Sequence, residues 1–303
     1  MEGLELMAGF LGASLRVATP LLLAATGETI AERSGVINLG VEGSMLAGAL
    51  AAAIGSAWAG PWYGLAAAAL AGLALAAVFA LVAVHGGADQ IITGTAVTLG
   101  AVGLTGAAYR LAFGAEGARL SIPTLAPVDL PLFSRVPVAG PAIFAQPATT
   151  WLALAAVPVV WWVLFRTRPG LALRAAGESV TAARAAGVRV RAARTVATVT
   201  GGAFAGLAGA TLVLAQVGTF TERMTAGRGF IAIALVVLGR WHPVGVLLAA
   251  LLFGAANALQ FVFQASGVDV PYQLFLMLPY LLALLGLAGA VGRVRAPRDL
   301  ARG

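Results

Sequence analysis

The sequence has no lysine, no cysteine and little charge of either sign. Without cysteine there is no disulfide, no thiol nucleophile and no cysteine-based metal site. Without lysine there is no P-loop, because that motif needs its lysine to reach the nucleotide phosphates. Charged residues make up 10% of the chain, against about 25% in a soluble domain, which is too few to cover a water-facing surface. What is abundant is apolar: 60% of residues are hydrophobic, and they come in blocks such as 64–84 and 244–263. About 20 consecutive apolar residues cross a bilayer as helix. A soluble helical protein has one such buried helix, not eight or nine, so the chain reads as a polytopic helical membrane protein.

All 19 basic residues are arginine, and the net charge is +7. Arg166, Arg168, Arg174, Arg184, Arg189, Arg191 and Arg194 crowd one loop, and Arg293, Arg295, Arg298 and Arg302 crowd the C-terminal tail. Arginine beside membrane spans marks the cytoplasmic side, which explains the basic excess without nucleic acid. Nine candidate segments fall at 7–27, 36–57, 61–84, 91–113, 149–165, 195–217, 229–240, 243–264 and 273–291. About eight to ten transmembrane helices are compatible with this pattern, and 229–240 is short enough to be re-entrant. With the basic loop 166–194 and the tail in the cytoplasm, 114–148 and the N-terminus lie outside. Glu2 and Glu5, with no early basic residue, lack the n-region of a signal peptide, so the N-terminus is expected to be retained. The proline-rich 114–148 loop reads as extended chain with one surface helix. No boundary divides 1–303, which is read as a single all-α transmembrane domain.

The stretch 27–43 places Glu28, Glu32, Arg33, Asn38 and Glu42 between two apolar blocks. On a continuous helix Glu28, Glu32, Asn38 and Glu42 would share one arc. Gly35, Gly40 and Gly43 each disfavour such a helix by about 1 kcal/mol. A broken helix whose freed backbone lines a cavity reconciles the two observations. Two readings stand for Glu28, Glu32 and Arg33: a solvated cytoplasmic turn, or part of a pathway. Asn38 and Glu42 line a pathway or bond neighbouring helices. Glu32-Arg33 and Glu222-Arg223 each precede a glycine-interrupted segment, an echo that an internal repeat or chance explains equally well.

In the basic loop, Ser179 suits a helix N-cap and Gly187 the left-handed position after a helix. They frame about two turns of helix. Val180, Ala183 and Gly187 give it a narrow face of small residues, fit for docking against a partner or for lying on the membrane. His85 and His242 sit at span ends with no ligand set around them, so no metal site is expected. No nucleophile stands on a glycine-flanked elbow, which leaves no catalytic residues. Gly94, Gly100, Gly103 and Gly106, and then Gly202, Gly206 and Gly209, read as stripes for close helix packing. Trp58, Trp62, Trp151, Trp161, Trp162 and Trp241 lie near span ends, where the membrane interface favours them.

The stretch GESVTAARAAGV (177–188) resembles the coupling helix of ABC importer permeases. GETIAERSGVINLGVEGSMLAGA (27–49) and GRGFIAIALVVLGRWHPVGVLLAALLFG (227–254) resemble the branched-chain amino acid/simple sugar permease family, in its nucleoside-type branch. The coupling segment departs at Ser179-Val180-Thr181, where relatives more often carry Asn-Pro-Glu. The resemblance implies a bacterial plasma-membrane importer subunit working by alternating access. It also implies docking to ATPase subunits through Gly177, Glu178, Ser179, Val180, Ala182, Ala183, Arg184 and Gly187. A second permease and a substrate-binding lipoprotein complete the expected assembly, with no cofactor on this chain and ATP and Mg on the partner ATPase. Simple sugars and branched-chain amino acids are alternative substrates. A stand-alone transporter coupled to protons through Glu42 or Glu28 is the competing mechanism.

Overall fold

The computed structural model of the chain describes residues 2–114, 122–129, 144–265 and 296–301, with isolated positions at 140, 277 and 281. Helices dominate: α1 (Glu2–Arg33), α2 (Val41–Ala59), α3 (Pro61–Ala80), α4 (Gln90–Phe113), α5 (Ala148–Arg166), α6 (Arg168–Glu178), α7 (Val180–Ala185), α8 (Val190–Thr211), α9 (Arg228–Leu238) and α10 (Pro243–Ala265). Six of them are long and apolar enough to cross a membrane among the described residues, counting the π-turns Leu81–His85 and Leu212–Val217 that extend α3 and α8. The segment expected at 273–291 lies outside the described residues, but for Met277 and Leu281.

Local chemistry sets the breaks. Gly60 (φ 95°) turns the chain between α2 and α3, and Pro61 opens α3 where its missing N–H costs nothing. Asp89 caps α4, accepting from the backbone N–H groups of Ile91 and Ile92 at 2.9 Å each. The π-turns closing α8 release carbonyls, and the 122–125 backbone takes them up: Leu125 N–H donates to Leu214 O at 2.8 Å and Ile122 N–H to Gly218 O at 3.3 Å. Beside them β1 (Pro127–Asp129) and β2 (Ala145–Pro147) pair antiparallel. The ribbon is extended chain, as expected of 114–148, most of which lies outside the described residues. It marks one end of the bundle, and α6 and α7 mark the other, called the loop end below.

α8 runs through the centre, packed on α1, α2 and α3. Its glycines make this possible. A methyl group at Gly206 would strike the Ala68 carbonyl oxygen, and one at Gly209 the Met45 carbonyl oxygen. The packing role read for the α8 stripe therefore holds. In α4 it holds for Gly94, wedged on Leu39, whereas among the described residues nothing lies within 4 Å of a methyl group at Gly100 or Gly103. Around the outside runs an apolar belt, with Leu70, Leu99 and Leu104 between 65% and 70% exposed. Lipid or an apolar partner surface must cover a belt of this extent. Trp58 and Trp62 are exposed at the ribbon end, but Trp241 is buried in the interior.

α9 has 11 residues, which at 1.5 Å each span about half of a 30 Å hydrocarbon core. It is a half-helix, as the shortness of 229–240 suggested, reached from the ribbon end where α8 closes and left at the loop end.

Candidate functional site

The sequence break lies later than its charges suggest. α1 stays helical through Arg33, and only 34–40 unwinds. Glu28 and Glu32 are each 1% exposed, so the reading of a solvated turn fails: both carboxylates face the interior. The Glu28 Oε1 accepts from the Asn38 backbone N–H at 2.8 Å, pulling the unwound segment back against α1. Asn38 Oδ1 accepts from Gly40 N–H at 3.0 Å, and Gln90 Oε1 from Ile37 N–H at 2.9 Å. Unwound backbone inside a bilayer survives only when its polar groups are met in this way.

Two carboxylates on either side of the break hold the two ends of α9. Glu42, at the start of α2, accepts through Oε1 from Thr225 Oγ1 at 2.6 Å and Gly227 N–H at 2.8 Å, and through Oε2 from Gly229 N–H at 2.6 Å. It thus satisfies donors that a helix N-terminus leaves orphaned, at the favourable end of the helix dipole. Glu32 Oε2 accepts from Trp241 Nε1 at 2.5 Å, in the turn that follows α9, and Arg33 Nε donates to the Trp241 carbonyl oxygen at 2.7 Å. The held backbone is strained at both ends: Arg223 and Ala226 have φ of 59° and 47°, and Arg240 and Trp241 of 58° and 54°. Such conformations persist only where the surroundings impose them. The echo pair does not share this environment, since Glu222 instead bonds Arg110 at 2.7 Å on the exposed ribbon side.

At the loop end, α7 is built as its sequence predicts. Ser179 Oγ accepts from Ala182 N–H at 3.3 Å. Gly187 (φ 81°) donates to Arg184 O at 2.9 Å while Val188 N–H reaches Ala183 O at 2.9 Å, the paired bonds of a Schellman ending. Gly177 and Glu178 belong to α6. Of the expected docking face, Ala183 is 2% exposed and packs on Ala176 and Val190 of its own chain, Val180 is half-buried and Gly187 is exposed. The outward residues are Thr181, Ala182, Arg184 and Ala185.

The C-terminal tail, unremarked in the sequence beyond its charge, stitches this region together. Asp299 Oδ2 accepts from Val180 N–H at 2.8 Å. Its own N–H donates to Gly177 O at 2.9 Å, and Ala301 N–H to Gly35 O at 3.1 Å. Arg194, 6% exposed, donates from Nε to Ser34 O at 3.2 Å. Next to it the Arg33 and Arg174 guanidinium carbons lie 5.5 and 5.0 Å from the Phe165 ring centroid, and the His242 ring lies 5.2 Å from it. Burial, and then the Arg33 charge, hold the His242 pKa below its usual value. His85, at the same end, has Nε2 3.0 Å from Thr195 Oγ1. A contact chain therefore runs from α6 through Phe165 to the turn that ends α9. Trp241, Phe165, Thr225 and Asp299 escaped the sequence reading because their partners are distant in the chain.

A bundle of helices long and apolar enough to span a membrane, built around a half-helix, defines a polytopic membrane protein. Over residues 10–287 the chain matches, and belongs to, the family of branched-chain amino acid transport system permease components. It is similar to the guanosine ABC transporter permease protein NupQ of Bacillus subtilis, with 35% identity over 98% of this chain and 97% of the relative. It is similar also to the nucleoside ABC transporter permease protein NupC of Lactococcus lactis, with 33% identity over 92% and 91%. A putative glucose ABC transporter permease protein, TsgC13 of Haloferax volcanii, is 43% identical over 84% of this chain and 77% of its own. No solved structure matches.

Proposed function

We propose that this permease forms half of the pathway of an ATP-driven nucleoside importer in a bacterial plasma membrane. The observation that carries the substrate is likeness to two nucleoside permeases along nearly the whole of both chains. A glucose substrate is the second reading, favoured by the higher identity to the Haloferax protein over a shorter share of it. A second, related permease would complete the pathway and an extracellular binding lipoprotein would deliver ligand. ATP and Mg would be bound by a pair of ATPase subunits, since this chain has no lysine with which to build a P-loop. The arginine-rich loop end faces the cytoplasm in this reading. α1 runs to that end, so the same reading would have the N-terminus outside.

In alternating access, closure of the ATPase pair would move α7. The motion passes through α6 and Phe165 to the turn after α9, and so to the half-helix at the membrane centre. Glu28, Glu32, Asn38 and Glu42 serve the pathway as its frame, fixing the break and both ends of α9. α7 would dock through Thr181, Ala182, Arg184 and Ala185. Ala182→Arg is accordingly expected to leave insertion and thermal stability unchanged while ATPase subunits no longer co-purify. Ala183→Arg forces a guanidinium against Ala176 and Val190 and is expected to lower stability itself. Normal co-purification with Ala182→Arg would remove α7 from the interface.

Uptake by the assembled transporter in proteoliposomes tests the substrate. Guanosine should be accumulated in an ATP-dependent way, and glucose, ribose and leucine should not. Accumulation of glucose alone would replace the first reading by the second. Uptake driven by a proton gradient, with this chain alone in the membrane, would overturn the ATP-driven reading.

A further inference from the structure

A pocket of about 170 Å³ opens between α1, the approach to α9 and α10. Leu21, Ile231 and Phe253 form its apolar wall, Ala226 its lip, and Arg228 and Asn257 its polar groups. We propose that this pocket takes the planar heteroaromatic ring of the transported ligand, a nucleobase, at the membrane centre. The assignment rests on the nucleoside reading above.

Position is the first argument. The N-terminus of α9 lies about half a bilayer from the loop end, and transporters bind their ligands at this depth, beside the ends of broken helices. Charge is the second. An arginine inside a membrane is costly and marks a pathway or an internal partner. Arg228 Nη1 donates to the carbonyl oxygens of Met224 and Thr225 at 3.0 and 3.2 Å, which fixes the guanidinium plane at the pocket edge. Asn257 Nδ2 is likewise tied, to Phe253 O at 2.9 Å. A fixed guanidinium, an amide and an aromatic ring together suit a flat ring with carbonyl and amino edges. The lip is also strained at Ala226, with φ of 47°, as ligand clamps often are. Volume is the third argument. Complete small-molecule sites run from about 300 to 1,000 Å³, so this one holds a ring and leaves the pentose outside it, towards the rest of the pathway.

The test uses the whole transporter with its ATPase, second permease and loaded binding protein. At saturating binding protein, Asn257→Leu and Ile231→Trp should each lower the guanosine uptake rate about tenfold, the loss of one good contact. Leu252→Trp, on the exposed side of α10, should leave it unchanged. Light-activated 8-azidoguanosine should label this chain within 226–231 or 253–257, and excess guanosine should block the label. Wild-type guanosine uptake with both pocket variants unaffected would overturn the pocket alone. A wild-type transporter that moves glucose, ribose or leucine but no nucleoside would overturn the parent reading and the ring assignment with it.

Discussion

Glu42→Ala should abolish uptake, by at least about 100-fold, in a protein that still inserts into the membrane. The carboxylate holds Thr225 Oγ1 and the backbone N–H groups of Gly227 and Gly229 within 2.6–2.8 Å. Thr225 and Gly229 are buried, so water does not replace the lost acceptor freely. Each buried donor left unpaired costs about 1–3 kcal/mol, a large share of the roughly 5–15 kcal/mol that holds an ordinary domain folded. The loss falls on a strained segment that has no reason to keep Ala226 at φ 47° once its anchor is gone. Glu42→Gln keeps one acceptor oxygen but sets an amide N–H₂ against a backbone N–H, so it should fall between alanine and wild type. The absence of cysteine supplies a clean probe of the cause. An Ala226→Cys reporter should react faster with a water-soluble maleimide when Glu42 is alanine. Wild-type uptake by Glu42→Ala would show that the anchor has no functional weight.

The framework was legible because its signals are local. Hydropathy blocks place six spans within a few residues, and Gly60-Pro61 marks its turn correctly. Ser179 and Gly187 frame α7 as their side-chain and backbone chemistry requires. The half-helix was visible as a segment too short to cross. What sequence could not supply was direction and distance. Glu28 and Glu32 look like a solvated turn because adjacent charges usually are one. Their burial is balanced by Asn38 and Trp241, and Trp241 lies 209 residues from Glu32. The shared arc drawn through Glu28, Glu32, Asn38 and Glu42 assumed a helix that unwinds between 34 and 40. Ala183 falls on the expected small face, but only the packing of α6 and α8 shows that its side chain is turned inward.

Asp299→Ala should uncouple ATP hydrolysis from transport, with uptake per ATP consumed falling about tenfold. α7 has six residues, too few to hold a helix in water by propensity. Its N-terminus depends on Ser179 and on the Asp299 carboxylate, which accepts from Val180 N–H at 2.8 Å. Losing a cap costs about 1 kcal/mol in ordinary helices, and 1.4 kcal/mol is tenfold in population, so one bond decides whether so short a helix is formed. The same residue donates from its backbone N–H to Gly177 O at 2.9 Å, in the last turn of α6. That bond survives the substitution and should keep the tail in place. Asp299→Asn retains a capping oxygen and should restore most of the coupling, which a role resting on charge alone would not allow. The measurement is the ratio of guanosine accumulated to ATP hydrolysed in proteoliposomes. A wild-type ratio with Asp299→Ala would mean that α7 transmits force without its cap. A fall in the ratio, with ATP still consumed, would make the tail part of the coupling element.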